Sequence, residues 1–171
     1  RTPTVSPLSH GVIPEVRSGY FNTDAHLDLL TTKGPIGTQV QLLLGDGAGG
    51  FSDAGRIAIL RGWATLDVAD FDVDGILDIG AAGPVHVGKT GQPAVFMGDG
   101  ANGVGGGSFL EPTLVESYFS IRSVVAGDFN GDGRADILLR DGETGSLVLW
   151  EMDGNLPTPS SIGVVEQNWA V

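Results

Sequence analysis

The sequence DFDVDGILD occupies residues 70–78 and returns, little changed, as DFNGDGRAD at residues 128–136. Both copies fit the pattern D-F-[DN]-x-D-G-x-x-D. A weaker copy, YFNTDAHLD, spans residues 20–28, where Tyr20 replaces the first Asp and Ala25 replaces the Gly. One pattern of fixed length that recurs in this way indicates that the chain is built from an internal repeat.

A second motif repeats in step with the first. Apolar runs lead into three Asp-Gly turns, at residues 45–47, 98–100 and 152–154. The nine-residue copies begin at positions 20, 70 and 128, so the repeat lengths are 50 and 58. Most of the difference falls in a longer, glycine-rich loop that we predict over residues 101–108. A period of about 50 residues is typical of propeller-like arrays.

Within one repeat the sequence predicts only short strands. In the second repeat they are expected at 63–69, 77–81, 94–97 and 110–115, each rich in apolar residues and bounded by Gly, Asp or Pro. Four short strands per repeat are the pattern of a propeller blade. We therefore predict an all-β fold made of β-propeller blades, each with four antiparallel strands. The chain would hold about three blades, forming a partial propeller or one completed by oligomerisation.

Composition agrees with this prediction and excludes several classes of protein. The chain has 171 residues, of which 28 are Gly, and glycine at this frequency disfavours long helices. A net charge of −12 and a pI near 4.3 argue against a nucleic-acid partner, which needs Lys and Arg to contact phosphates. No apolar run approaches the roughly 18 residues of a membrane span. Because there is no Cys, disulfides and thiolate metal sites are excluded.

The repeated segments resemble a known family. Residues 68–75 and 126–133 are similar to FG-GAP/VCBS repeats, and Gly45 to Phe51 supplies the other half of that pattern. The resemblance extends over about residues 16–171. It implies the blades of integrin-α-type β-propellers and related lectins, with a Ca²⁺ ion in each intact loop, and it implies no single activity.

The loops also suit calcium on chemical grounds, because this hard cation takes about six to eight oxygen ligands. Side chains at loop positions 1, 3, 5 and 9 and the carbonyl at position 7 can converge on one ion. We expect two such sites. The first uses Asp70, Asp72, Asp74, Asp78 and the Ile76 carbonyl, and the second uses Asp128, Asn130, Asp132, Asp136 and the Arg134 carbonyl. A third, weak site would use Asn22, Asp24, Asp28 and the His26 carbonyl.

Two alternatives to a calcium site of this kind exist. An EF-hand is excluded because that loop needs Glu at position 12, where these copies have Ala81 and Leu139. The other alternative is a set of solvated Asp-Gly turns that hold no metal. It is disfavoured for the two intact loops and stays open for the first loop.

The repeats divide the chain into five parts. Residues 1–15 form an N-terminal extension, followed by blade-like repeats over 16–62, 63–120 and 121–168, and residues 169–171 would begin a further strand. Trp169 stands in the register of Trp63, so the array does not close within this sequence. Two explanations remain open: a piece of a longer propeller, or several chains that complete one another's blades by strand addition.

Other motifs carry little weight. Residues 45–50 and 98–103 match G-x-G-x-x-G, but no helix start follows either match, so turns explain them better than a dinucleotide site. No catalytic constellation is found. The tryptophans Trp63, Trp150 and Trp169 could stack on sugars, although we favour positions in the core.

Together these features predict an extracellular or secreted calcium-binding β-propeller repeat protein. It would act in ligand binding, adhesion or assembly, with a carbohydrate or a protein as its ligand. One alternative is the scaffold or accessory part of a secreted polysaccharide-active enzyme. Another is the structural subunit of an extracellular filament, assembled as a homo-oligomer through blade completion.

Overall fold

The computed structural model of the chain describes residues 15–33, 39–59, 65–82, 93–101, 104–115, 120–154 and 156–164. These residues form fourteen β-strands joined by turns and contain no helix. The predicted all-β, antiparallel fold is therefore confirmed for the described part of the chain. Trp63 and Trp169 lie outside the described residues.

The strands form three four-stranded antiparallel sheets, one in each predicted repeat. Sheet 1 has the order β1 (Val16–Gly19), β2 (Asp28–Lys33), β3 (Gln39–Gly45), β4 (Phe51–Ile59). Sheet 2 has the order β5 (Thr65–Ala69), β6 (Asp78–Ala82), β7 (Ala94–Phe96), β10 (Thr113–Leu114). Sheet 3 has the order β11 (Ile121–Gly127), β12 (Asp136–Asp141), β13 (Ser146–Asp153), β14 (Leu156–Val164). In each sheet the order of the strands follows the order of the chain.

The glycine-rich insertion of the second repeat differs from the sequence prediction. In place of a loop over 101–108, a small hairpin joins β8 (Gly98–Ala101) to β9 (Val104–Phe109). Gly98 pairs with Phe109 as Gly45 pairs with Phe51 in sheet 1, so the hairpin begins where sheet 1 makes its turn. The sequence predicts a loop because glycine lowers strand propensity. That prediction is wrong, since the hairpin packs against the preceding repeat.

Contacts with the first repeat hold the hairpin in place. The Gly107 N–H donates to the Phe21 carbonyl at 2.8 Å, and the rings of Phe21 and Phe109 lie 6.0 Å apart. A Cβ added at Gly105 would come within 2.7 Å of the same carbonyl oxygen. Glycine is therefore needed at 105 because the two backbones approach so closely.

Sheet 2 lies between the other two sheets and shares a core with each. One apolar cluster joins sheet 1 to sheet 2 and includes Leu30, Leu42, Leu66, Ile79 and Phe96. The other joins sheet 2 to sheet 3 and includes Phe71, Val95, Ile121, Ile137 and Trp150. The core position that we favoured for Trp150 is thus confirmed, since only 3% of its surface is exposed.

The middle position of sheet 2 is visible in the burial of its strands. All five residues of β6 are buried, whereas burial alternates along β2, which packs on one face only. Small residues suit the crowded strand: a Cβ added at Gly80 would lie 3.0 Å from the Ile137 side chain of sheet 3.

A single carboxylate links all three sheets. Asp67, on β5, accepts from Arg17 Nε of β1 at 2.9 Å and from the Ala126 N–H of β11 at 2.9 Å. The strands β1, β5 and β11 are the first strands of their sheets, and their shared contact with Asp67 shows that they lie close together.

No helix that could span a membrane occurs among the described residues.

Candidate metal centre

The three nine-residue copies occupy equivalent places in the fold. Each follows the first strand of its sheet and ends at the first residue of the second strand, at Asp28, Asp78 or Asp136. Because the sheets have the same order of strands, the loops recur at the same corner of each repeat. We call them loop 1 (residues 20–28), loop 2 (70–78) and loop 3 (128–136).

Loop 2 brings three carboxylates together. One oxygen from each of Asp70, Asp72 and Asp78 lies within 4.8 Å of the others, and no other group of three potential ligands of this kind occurs among the described residues. Oxygens on opposite sides of a calcium ion stand about 5 Å apart, since each bond is about 2.3–2.6 Å long. The donor set and its spacing therefore fit a hard divalent cation.

Electrostatics in loop 2 also favour a cation. Burial raises the pKa of Asp78 to about 6, and the negative charges of Asp72 and Asp70 add to the shift, although N–H donors from Gly98 and Phe71 oppose it. Burial and the neighbouring Asp74 also raise the pKa of Asp72. A bound cation would relieve this repulsion, because it favours the ionised form of each carboxylate.

Backbone N–H groups shape loop 2 around these carboxylates. Asp70 accepts from the N–H groups of Asp74 (3.1 Å) and Gly75 (2.9 Å). Asp74 is outside the group of three, and its Oδ1 accepts from the Ile76 N–H at 2.8 Å. The bond from Asp74 to the N–H two residues on is that of an Asx turn, and together these bonds let the Asp residues curl the chain before any ion binds.

Loop 3 is curled by similar side-chain-to-backbone hydrogen bonds, but it has one carboxylate fewer than loop 2. Asp128 accepts from Gly131 and Gly133, and Asp132 accepts from the Arg134 N–H at 2.9 Å. Asn130 supplies an amide where loop 2 has a carboxylate, and its Nδ2 donates to Asp132 at 3.2 Å. The Asp128, Asp132 and Asp136 carboxylates do not form a group as tight as that of loop 2.

Loop 1 keeps this conformation despite its two replacements. Asn22 accepts from the Asp24 N–H at 2.9 Å, and Asp24 accepts from the His26 N–H at 2.8 Å. This N–H donation from His26 is the main reason that the pKa of Asp24 is lowered. Ala25 has φ 60°, close to the left-handed conformation of Gly75 (φ 87°) and Gly133 (φ 89°) at the same position.

The last Asp of each loop has a structural role that the sequence did not reveal. Its two oxygens accept one N–H from loop position 2 and one from the residue that begins the next Asp-Gly turn. Asp28 binds Phe21 and Gly45, Asp78 binds Phe71 and Gly98, and Asp136 binds Phe129 and Met152, all at 2.7–3.1 Å. All three carboxylates are buried.

This arrangement, which we call the carboxylate bridge, joins each loop to the following hairpin. Without it, two N–H groups per repeat would lose a partner, and for the buried one the cost is about 1–3 kcal/mol. A carboxylate oxygen has lone pairs to spare, so a bridging Asp can still bind an ion. The only sequence signal was the shared register of position 9 and the Asp-Gly turns.

Comparison with known proteins bears on one of these loops, loop 3. The family model described as an FG-GAP-like repeat matches residues 85–139, a segment that contains loop 3. No curated protein and no solved structure matched the chain. This match confirms the predicted resemblance for residues 85–139, which are similar to an FG-GAP-like repeat.

Proposed function

We propose that this chain is a calcium-binding β-propeller repeat protein that acts outside the cell in ligand binding or adhesion. FG-GAP repeats are typical of extracellular proteins of that kind, and residues 85–139 match their model. The observation that carries the calcium part of the proposal is the convergence of Asp70, Asp72 and Asp78 in loop 2. The function proposed for the chain is binding, without catalysis.

Calcium is the cation that best suits loop 2. All the side chains that converge there offer oxygen, and Ca²⁺ and Mg²⁺ both prefer oxygen ligands. Mg²⁺ demands a near-ideal octahedron, whereas Ca²⁺ accepts irregular sites of about six to eight ligands, such as a curled loop supplies. The high calcium concentration outside cells suits loops that are exposed on one side.

The three loops should differ in affinity. Loop 2 offers a carboxylate at positions 1, 3, 5 and 9, loop 3 has Asn130 at position 3, and loop 1 lacks the first carboxylate because of Tyr20. Affinity for calcium rises with the number of charged ligands. We propose two occupied sites, at loops 2 and 3, and weaker binding at loop 1, with the Ile76, Arg134 and His26 carbonyls at position 7.

The three sheets would be blades of a propeller. They are successive, four-stranded and antiparallel, their first strands meet at Asp67, and each packs on the next through an apolar core. These features support the propeller interpretation. The ligand would be a carbohydrate or a protein surface.

The calcium proposal can be tested by thermal unfolding. The protein is first treated with a chelator, and Ca²⁺, Mg²⁺ or buffer is then added. We expect the melting temperature to rise with the Ca²⁺ concentration by mass action, and to rise less with Mg²⁺. A melting temperature that does not respond to chelator or to Ca²⁺, with no metal found in the purified protein, would contradict the proposal.

The substitution Asp72→Asn tests the ligand assignment. Asn22 and Asn130 occupy the same loop position and accept the same backbone N–H, so asparagine fits the fold there. We expect the metal-free variant to be at least as stable as the parent, because one repulsive charge is gone. Calorimetric titration should show weaker Ca²⁺ binding at loop 2.

A matched control is Asp99→Asn, which changes the same charge on strand β8, where the Asp99 carboxylate accepts from Ser108 Oγ at 3.1 Å. It should leave calcium binding unchanged. If both variants weaken binding equally, the effect is one of net charge, and loop 2 is not the site.

A further inference from the structure

A cavity of about 260 Å³ has no residue of the three loops among its described lining residues. One of its walls is β4 of sheet 1, and the other is the segment 107–112, which ends the inserted hairpin. Its apolar lining includes Leu42, Phe96 and Phe109. Only the second repeat carries the insertion, so no cavity built in the same way occurs between the described parts of sheets 2 and 3. Loops inserted on a repeated scaffold often carry function.

The backbone of β4 is irregular where it meets the cavity. The pairing of β3 with β4 shifts twice, so that Ala54 and Ile57 have no partner on β3. Gly55, between them, has φ 111°, and its N–H is bound by Asp53 at 2.8 Å. Bulges of this kind are concentrated at sheet edges and near binding sites, where they redirect side chains.

The cavity carries one charge of each sign. Arg56 lines it from β4 and Glu111 lines it from the opposite wall. Both side chains are exposed, and neither forms an ion pair or a hydrogen bond with another described residue. A chain with a net charge of −12 repels simple anions, so a ligand that brings both charges is the better match.

The size of the cavity limits the ligand further. At about 260 Å³ the cavity is larger than the roughly 150 Å³ that holds a benzene molecule and slightly smaller than the roughly 300 Å³ at which pockets for drug-sized ligands begin, so its ligand is a small molecule between those two in size. We infer that the cavity binds a free α-amino acid with an apolar side chain, of about the size of leucine. The ligand carboxylate would pair with Arg56, its ammonium with Glu111, and its side chain would contact Leu42, Phe96 and Phe109. The inference rests on the proposed ligand-binding role.

The test uses the isotopically labelled protein and three related probes. L-Leucine carries both charges, N-acetyl-L-leucine lacks the cation, and L-leucinamide lacks the carboxylate. With L-leucine we expect saturable amide shifts in residues 54–57 and 107–111, with a dissociation constant in the millimolar range. Each analogue should bind roughly tenfold more weakly, because one charge-assisted contact is missing.

Two variants test which wall of the cavity binds each charged group of the ligand. Arg56→Gln should remove the preference for leucine over leucinamide, and Glu111→Gln should remove the preference for leucine over N-acetyl-leucine. Arg122→Gln, a change at an exposed arginine on β11, should leave all three affinities unchanged. These are preferences between probes, so a general loss of stability would not imitate them.

The inference is overturned if L-leucine gives no saturable shifts, or if both variants keep the preferences of the parent. It is also overturned if a methyl glycoside or a longer peptide, but not leucine, produces the shifts at the cavity. If leucine fails while Ca²⁺ still stabilises the protein and a ligand still binds elsewhere, the cavity assignment falls and the proposed function stands. If leucine binds with these preferences but Ca²⁺ has no effect, the cavity assignment stands and the calcium proposal falls.

Discussion

Val73 has a backbone conformation that β-branched residues rarely adopt. Its φ is 63°, and its side chain is largely exposed, so burial of the side chain does little to offset the free-energy cost of this conformation. Loop 3 has Gly131 at the same position, with φ 81°. For a residue with a Cβ the left-handed conformation costs roughly 1–2 kcal/mol. Loop 2 therefore contains a local strain that loop 3 avoids.

We predict that Val73→Gly stabilises the metal-free protein by roughly 1 kcal/mol. Relief of the strain should outweigh the greater freedom that glycine gives the unfolded chain. Chemical denaturation in the presence of chelator measures the change. The reverse substitution, Gly131→Val, should destabilise the protein, and a destabilised Val73→Gly variant would show that Val73 makes a contact worth more than its strain.

A second effect at residue scale is the titration of Asp78. Burial and the neighbouring carboxylates raise its folded-state pKa to about 6, above the ordinary value of 3.8. The folded protein therefore binds this proton more tightly than the unfolded chain does. The contribution is fully present below pH 3.8 and is lost as the pH rises to about 6, so it makes the metal-free protein less stable over that window.

We predict that carbon NMR of the Asp78 carboxyl in chelator shows a midpoint near pH 6. Saturating Ca²⁺ should move the midpoint well below that value, because the cation favours the ionised form. A midpoint that is the same with and without Ca²⁺ would mean that Asp78 does not sense an ion in loop 2.

At the scale of elements, the same residue type has different surroundings in different repeats. Position 2 of each loop is Phe. Phe21 packs against the inserted hairpin and is 3% exposed, and Phe71 lies in the core shared with sheet 3 and is 0% exposed. Phe129 is 46% exposed, because no described element covers it. Burial at this position thus depends on the element that follows.

We predict that Phe71→Ala costs about 3–5 kcal/mol, the usual range for a buried Phe, since the change leaves a cavity in the core. Phe129→Ala should cost less than about 1 kcal/mol. Urea unfolding of the two variants, in parallel with the parent, measures both values. Equal losses would indicate that the Phe129 ring is covered in solution.

The sequence predicted these elements better than it predicted their packing. Strands and loops follow from local residue patterns, and the four strands predicted for the second repeat overlap β5, β6, β7 and β10. The hairpin at 98–109 could not be predicted, because its glycine-rich strands depend on contacts with Phe21, about 80 residues earlier in the chain. The carboxylate bridge could not be predicted either, because one of its two N–H donors lies about 20 residues away and the sequence pattern indicates position 9 only as a metal ligand.

At the scale of the whole molecule, Asp67 connects the three sheets. Its partners Arg17 and Ala126 are 50 and 59 residues away in sequence, so no local pattern could reveal the link. All three residues lie on the first strands of their sheets, shortly before the loops. The carboxylate is partly buried, which makes its hydrogen bond to the Ala126 N–H worth more than a surface contact.

We predict that Asp67→Ala destabilises the protein by about 1–3 kcal/mol, because it leaves the Ala126 N–H without an acceptor. Hydrogen exchange should quicken at Ala126 and along β1 and β11. The matched control is Glu15→Ala, which removes the other carboxylate paired with Arg17, at 3.0 Å. Because that pair is a surface salt bridge, its loss should cost less than about 1 kcal/mol.

The carboxylate bridge has a consequence for how such repeats can diverge. Loop 1 has lost its first Asp and its central Gly, yet Asp28 still holds Phe21 and Gly45 as Asp78 and Asp136 hold their partners. The last residue therefore holds each loop to the following hairpin even where the earlier positions have changed. If the loops bind ions as proposed, substitutions at the earlier positions can remove an ion from one repeat without dismantling the repeat. A chain of this design could then keep its architecture while the number of its ion sites changes.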